Sequence, residues 1–282
     1  MVPLPYPEKC PVLRYRTAFA IVVGLLAIAT PARAQDSVYL EELTWTEVRD
    51  QIKAGKTTVL VPTGGTEQNG PHMVLGKHNM IVRYVSGEIA KRLGNALVAP
   101  TLAYVPEGNV APPTGGMRFA GTITLPDEIF GKVAEWASRS LRAHGFTDIV
   151  LIGDSTGNLP ALKAVAEQLN KEWAATPARV HHLTPDDYYA RFDAYLFTQG
   201  VKKEDIGSHA GVRDTSNLMA IEAMQGPKGQ LIRWDKLAPN GGYEGSGVNG
   251  NPAKASVANG KKGLELKIDA WWEQIKTLTS RK

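Results

Sequence analysis

Residues 57–79 read TTVLVPTGGTEQNGPHMVLGKHN. An apolar run, TTVLVP (57–62), stops at Gly64 and Gly65, and Glu67, Asn69, His72, His78 and Asn79 then follow among Gly and Pro. A short continuous apolar run bounded by turn residues reads as a strand buried on both faces. Working outward, NMIVRYVSGEIAKRLG (79–94) carries apolar residues at helical spacing with a Gly stop, and ALVAP (96–100) is a second short strand. A Gly/Pro-rich loop (105–122) leads into an amphipathic helix, LPDEIFGKVAEWASRSLRAHG (125–145), with acids first and Arg142 and His144 last. TDIVLIGD (147–154) is a strand, 157–173 a helix, ARVHHL (178–183) a strand and KGLELKIDAWWEQIKTL (262–278) a closing helix. Upstream, LTWTEVRDQIKAG (43–55) predicts a helix with Thr44 as N-cap and Glu47 three residues on. Strands alternating with helices argue for a mostly parallel sheet with helices on both faces. In such sheets chemistry gathers in the loops at the carboxyl ends of the strands.

The chain has 282 residues and a formal net charge of +4. Its first 34 residues combine Lys9, Arg14 and Arg16, the apolar run TAFAIVVGLLAIA, and Ala32-Arg33-Ala34. Basic start, short apolar core and A-x-A exit predict a secretory signal peptide cleaved after Ala34, and a periplasmic or secreted product with no membrane attachment after cleavage. The apolar run falls short of the ~20 residues that span a bilayer. Residues 35–282 suit a single catalytic domain. The only cysteine, Cys10, belongs to the leader, so the mature part has no disulfide, thiolate ligand or cysteine nucleophile. Basic residues are interspersed with acids and form no stripe with interleaved aromatics, which argues against nucleic acid as a partner. The Gly/Asn-rich run at 238–256 reads as a long surface loop at a rim or lid.

Four segments converge in this topology: Glu67 to His72, Gly76 to Asn79, Gly153 to Asn158, and His209-Ala210-Gly211 with Asp214-Thr215-Ser216. In order and spacing, EQNGPHMVLGKH, GTITL, HGF, GDSTGN and HAGVRDTS resemble the creatininase (creatinine amidohydrolase) family over roughly residues 40–275. The family pattern is E-Q-H-G-P-H-L-P-L-G-T-D, G-T-I-S-L, H-G-F, N-G-H-G-G-N and H-A-G-x-x-E-T-S. The resemblance implies a three-layer αβα sandwich, often a homo-oligomer (a hexamer), and metal-assisted hydrolysis of a C–N bond in a small linear or cyclic amide. Several family positions differ. Asn69 stands for a His, His78 for the bridging Asp, Ser155 for the His of N-G-H-G-G-N, and Asp214 for a Glu, while Glu67 and His209 are kept.

The resemblance therefore implies one divalent ion (Zn, Mn or Fe) held by Glu67, His78 and Asp214, with Asn69, Asp154 or Ser155 adding a weaker oxygen. His209 would move the proton to the leaving nitrogen. Plainer readings stand beside these: Glu67 capping a turn, His78 as a neighbour of a helix start, and Asp214 as an N-cap. His72 and His144 read as structural, and only one of His181 and His182 can face any site. Tyr188 and Tyr189 are candidate pocket walls, although core packing explains one of them equally well. GDSTG is also a G-x-S-x-G between strand and helix, so Ser155 is a candidate nucleophile of a metal-free serine hydrolase with His209 or His78 as base. A third expectation is a non-catalytic periplasmic protein that binds a small molecule.

Overall fold

The computed structural model of the chain describes residues 37–225, 230–237 and 242–280; the expected leader, residues 1–34, lies outside them. A four-stranded sheet is formed by β1 (Thr58–Thr63), β2 (Ala96–Val98), β3 (Asp148–Gly153) and β4 (Arg179–His182). Its order is β2-β1-β3-β4 and every pairing is parallel, with Thr58–Thr63 in register with Asp148–Gly153. The helices are α1 (Trp45–Lys53), α2 (Lys77–Leu93), α3 (Asp127–Ala143), α4 (Leu159–Glu172), α5 (Asp186–Thr198), α6 (Lys203–Ile206), α7 (Val212–Gln225), α8 (Tyr243–Ser246) and α9 (Val257–Thr279).

Alternation along the strands builds the two cores. Val59, Val61, Ile149 and Leu151 point to one face, where Phe130 and Ala134 of α3 and Leu162, Val165 and Leu169 of α4 cover them. Leu60, Val150 and Ile152 point to the other, against Ile81, Val85 and Ile89 of α2, Ala220 and Ile221 of α7, and Leu264, Trp271 and Ile275 of α9. The result is the three-layer αβα sandwich. The chain runs from β1 outward to β2 and then crosses back to β3 on the other side of β1. The crossover directions therefore diverge between β1 and β3, and a crevice opens at their carboxyl ends.

Local chemistry sets the ends of the elements. Thr44 and Glu47 form the expected capping box on α1. Gly94 closes α2 in the left-handed region, at φ 77°. Ser256 caps α9 by accepting from Asn259 N–H. The strands and α1–α4 fall within one to three residues of their sequence-predicted limits, whereas α9 begins at Val257, five residues earlier than expected.

Two departures have physical reasons. α7 carries no amphipathic signal that isolates it in the sequence, whereas α5, not assigned from the sequence, buries Tyr188, Phe192 and Leu196 at a spacing of four. Thr215, Ser216, Asn217 and Leu218 of α7 are all buried in succession, so the helix has no polar face to give a 3.6-residue period. The stretch expected as a surface loop at 238–256 contains α8 and a short 3₁₀ turn at Pro252–Lys254, and Val248 in it is fully buried; residues 238–241 lie outside the described set.

α7 and α9 approach closely because α9 begins with glycines on its inner face. A β-carbon on Gly260 would lie 1.7 Å from the Ser216 carbonyl oxygen, a backbone atom that cannot swing aside. Gly260→Ala is expected to lower stability by about 1–3 kcal/mol, the usual cost of overpacking, with little change in far-ultraviolet circular dichroism. Urea denaturation checks it, and an unchanged midpoint would mean the helices can separate freely.

Candidate active site

The exits of β1 and β3 are tied to each other. Thr63 Oγ1 donates to the Ile152 carbonyl at 3.1 Å, and Asn158 Nδ2 donates to Thr63 Oγ1 and to the Gly64 carbonyl, both at 3.0 Å. Asn79 Oδ1, in the first turn of α2, accepts from Gly65 N–H at 3.0 Å. Gly64 permits this approach, because a β-carbon there would lie 2.1 Å from Asn79 Oδ1. The start of α2 is thereby pinned beside both strand exits, and Lys77 and His78, its first two residues, are buried there.

A chain of charged groups crosses the crevice. His78 Nε2 meets Glu67 Oε1 at 2.8 Å, and its Nδ1 meets Asp154 Oδ2 at 2.6 Å. Asp154 also accepts from Lys267 Nζ of α9. Four separate segments are joined in this way, and all four side chains are at least nine-tenths buried. Burial and the Lys77 charge both push His78 toward neutrality, but the hydrogen bonds to Asp154 and Glu67 outweigh them and raise it to about 9. Burial likewise opposes ionisation of Glu67, yet the bond to His78 holds it down at about 2. Asp154 also sits low despite burial, because Lys267 and His78 flank it.

A cavity of about 300 Å³ opens over this chain, lined among others by Glu67, Lys77, His78, Glu107, Asp154, Ser155, Tyr189, His209 and Asp214. Lys77 Nζ stands 3.4 Å from Asp214 Oδ1, and Asp214 Oδ2 accepts from Ala210 N–H at 2.8 Å. Ala210 is the one described non-glycine residue with positive φ (53°), a strained conformation that this bond holds beside His209. His209 Nε2 lies 3.0 Å from the Gln68 backbone carbonyl and 2.9 Å from the Gln68 side-chain Nε2; it donates to the first when protonated and accepts from the second when not. Burial, and then Lys77, lower the His209 pKa. Burial, and then the charge on Glu67, raise Glu107 to about 8, so it is a neutral acid at pH 7. Three carboxylates (Glu67, Asp154, Asp214) thus face three cations (Lys77, His78, Lys267).

The sequence-predicted residues are brought to one cavity, but not as a ligand shell. Asn69 turns its amide back to the Glu67 carbonyl at 2.9 Å. Both nitrogens of His78 are engaged by carboxylates. Asp214 faces Lys77, and among the described residues no group of three or more His, Cys, Asp and Glu side chains is placed to hold a metal ion. His78 and Lys77 already stand against Glu67 and Asp214, the acids that would bind it. The donor set as folded does not fit a resident divalent ion.

Ser155 sits at the start of a 3₁₀ turn (Thr156–Asn158), and its hydroxyl has no histidine at hydrogen-bond distance among the described residues. His72 is structural, as expected, but through a side chain: its Nε2 meets Thr215 Oγ1 at 3.0 Å. His181 pairs with Asp148 at the opposite end of β3 from the cavity. Tyr188 is core and Tyr189 lines the cavity. Sequence reasoning passed over Lys77, Lys267 and Glu107. Lys267 left a trace, since it interrupts the buried stripe Leu264, Trp271 and Ile275 of α9 at helical spacing.

A sequence model of the creatininase family, described as creatinine amidohydrolase, matches residues 41–275. The creatinine amidohydrolase of Pseudomonas putida is 33% identical over 116 residues, which is 41% of this chain and 44% of that protein, so the match spans less than half of that relative's length. The mycofactocin precursor peptide peptidase of Mycolicibacterium smegmatis is 26% identical over 82% of this chain and 89% of that protein. Among solved structures, a mutant creatininase superposes with a TM-score of 0.73 at 23% identity, covering 87% of this chain and all of the other, which shows the shared fold. Others of this kind are titled as a Zn-Zn type, as a Mn form and as a complex with creatine.

Two outcomes test the charge chain. Lys267→Ala leaves Asp154 buried with one partner fewer and is expected to destabilise by about 3 kcal/mol in urea denaturation; a neutral result would mean water replaces the ammonium. His78 has a raised folded pKa, so its contribution is fully present below its unfolded value near 6.5 and is lost as pH rises through about 9. Glu107, also raised, acts in the same direction between 4.5 and about 8. Stability is therefore expected to fall between pH 6.5 and 9, with the pH 8–9 part of the slope absent in His78→Gln.

Proposed function

The chain belongs to the creatininase family of C–N hydrolases, and on that premise we propose that it hydrolyses a small amide bound in the cavity over Glu67, Lys77 and His209. The observation that carries this reading is the pairing, in one 300 Å³ cavity at the sheet's switch point, of a buried cation with a histidine held neutral. The amide carbonyl faces Lys77 and His78, whose positive charges stabilise the oxygen as it becomes negative. Water adds to the carbonyl carbon and its proton passes to the His209 imidazole. The tetrahedral adduct then collapses, the C–N bond breaks, and His209 returns the proton to the departing nitrogen. The products are a carboxylic acid and an amine, or one ring-opened molecule from a cyclic amide. Glu67 keeps His78 protonated and oriented, and Gln68 fixes the His209 ring.

The cavity volume supports a small molecule rather than a folded partner. The zinc- and manganese-containing relatives support divalent-ion chemistry in the family. A metal-dependent form of the reading, with one ion at Glu67, His78, Asp214 and Asn69, rests on that support, and the donor set described above runs against it. The serine route through Ser155 has no Ser–His contact in its favour. The leader pattern of residues 1–34 supports an extracytoplasmic setting.

A screen of lactams, formamides and small linear amides, read by release of amine or carboxylate, tests the reading. Against the substrate found, His209→Ala is expected to lower kcat about 100-fold or more with KM little changed, and Ser155→Ala to lower it only a few-fold. Full activity in His209→Ala would sink the proton-transfer role. Complete loss in Ser155→Ala, with trapping of an acylated serine, would move the reaction to the serine route.

A further inference from the structure

Among the described residues, Lys77 is a buried charge whose Nζ has no hydrogen-bond partner. Its side chain is 1% exposed. The nearest carboxylate oxygen, Asp214 Oδ1, is 3.4 Å away, and Asp214 already accepts from Ala210 N–H. The other acids are committed: Glu67 to His78, and Asp154 to His78 and Lys267. An ammonium group carries three donors, and leaving them unmet inside a protein costs several kcal/mol. Yet Lys77 lines the cavity, and it stands at the first position of the 17-residue helix α2, where the helix end adds partial positive charge to its own.

We propose that Lys77 supplies, from within the chain, the positive charge that a divalent ion would bring to this cavity, and that the cavity takes an anionic oxygen at Lys77 Nζ without a resident metal. The observations agree on this. Glu67 and Asp154 are spent on His78 and Lys267, and Asp214 faces Lys77, so a divalent ion entering the crevice meets three cations, each already set against a carboxylate. An oxyanion entering it meets one ammonium with donors to give. The sequence shows the change at adjacent positions: Lys77-His78 stands where the family pattern has Thr-Asp. An internal ammonium is a fixed charge, held by helix geometry rather than by metal supply. It can orient a carboxylate or stabilise an alkoxide, and it cannot lower the pKa of a coordinated water as a metal does.

The inference holds whichever C–N bond is cleaved, and its readouts are metal content and anion binding rather than turnover. The purified chain, incubated with Zn²⁺ and Mn²⁺ and then dialysed, is analysed for bound metal; in parallel, inorganic phosphate is titrated calorimetrically. The expected result is no stoichiometric Zn or Mn, and phosphate binding that weakens about 10- to 100-fold in Lys77→Met, the range for a lost hydrogen bond to a charged group. Because Lys77→Met also leaves Asp214 without its facing cation, it is expected to unfold somewhat below the temperature of the parent; Lys77→Gln serves if the methionine variant fails to fold. The double variant Lys77→Thr/His78→Asp removes two cations and adds a carboxylate, and is expected to gain Zn²⁺ binding that the parent lacks. Stoichiometric metal in the parent, or phosphate binding unchanged in both single variants, would overturn the proposal.

Discussion

The charge chain from Glu67 through His78 and Asp154 to Lys267 is the constraint on which the site depends. Glu67 and Asp154, both buried in one crevice, cannot remain ionised unless each is met by a cation or by donors of comparable strength. A metal centre meets this need with one or two ions; here side chains from α2 and α9 meet it. The consequence reaches into the fold, because Lys267 must come from the middle of a 23-residue helix whose other inward residues are apolar or small. α9 therefore serves both as a cover for the sheet and as the source of a counter-charge. Its register against α7 is fixed by Gly260 lying against the Ser216 carbonyl.

Topology explains why the acids meet at all. β1 and β3 are neighbours, and the chain leaves β1 toward one edge of the sheet before returning to β3 from the other side. Side chains just beyond Thr63 and Gly153 then face one crevice, although about ninety positions separate the strand ends. Helix α2 starts at the mouth of that crevice. Its first two residues are polar where a helix packed on a sheet would ordinarily bury apolar ones, and both are buried. The strained backbone at Ala210 and the contact of Gln68 with His209 show the opposite wall held as firmly.

Family membership and altered chemistry coexist in this chain. The family match spans residues 41–275, and the fold superposes on solved creatininases. Within that frame the motif resemblance keeps Glu67 and His209 and differs at His78 and Asp214. The cavity brings together an imidazole, a buried ammonium and acids that each face a cation.

The sequence by itself determined the parallel sheet, the order of its strands and helices, and the four segments that gather at the strand exits. Each of these is written in a local period or a turn residue: the continuous run at 57–62, the apolar spacing of 79–94, the Gly stop at Gly94. It did not determine α7, because a helix buried on several sides has no amphipathic period to read. Nor did it determine what Glu67, His78 and Asp214 do together. Their partners, Lys77 beside Asp214 and Lys267 beside Asp154, are chosen by which helix face meets which strand exit. A residue's type gives its charge, but the charge that opposes it across 113 positions of chain is set only when α9 docks on the sheet.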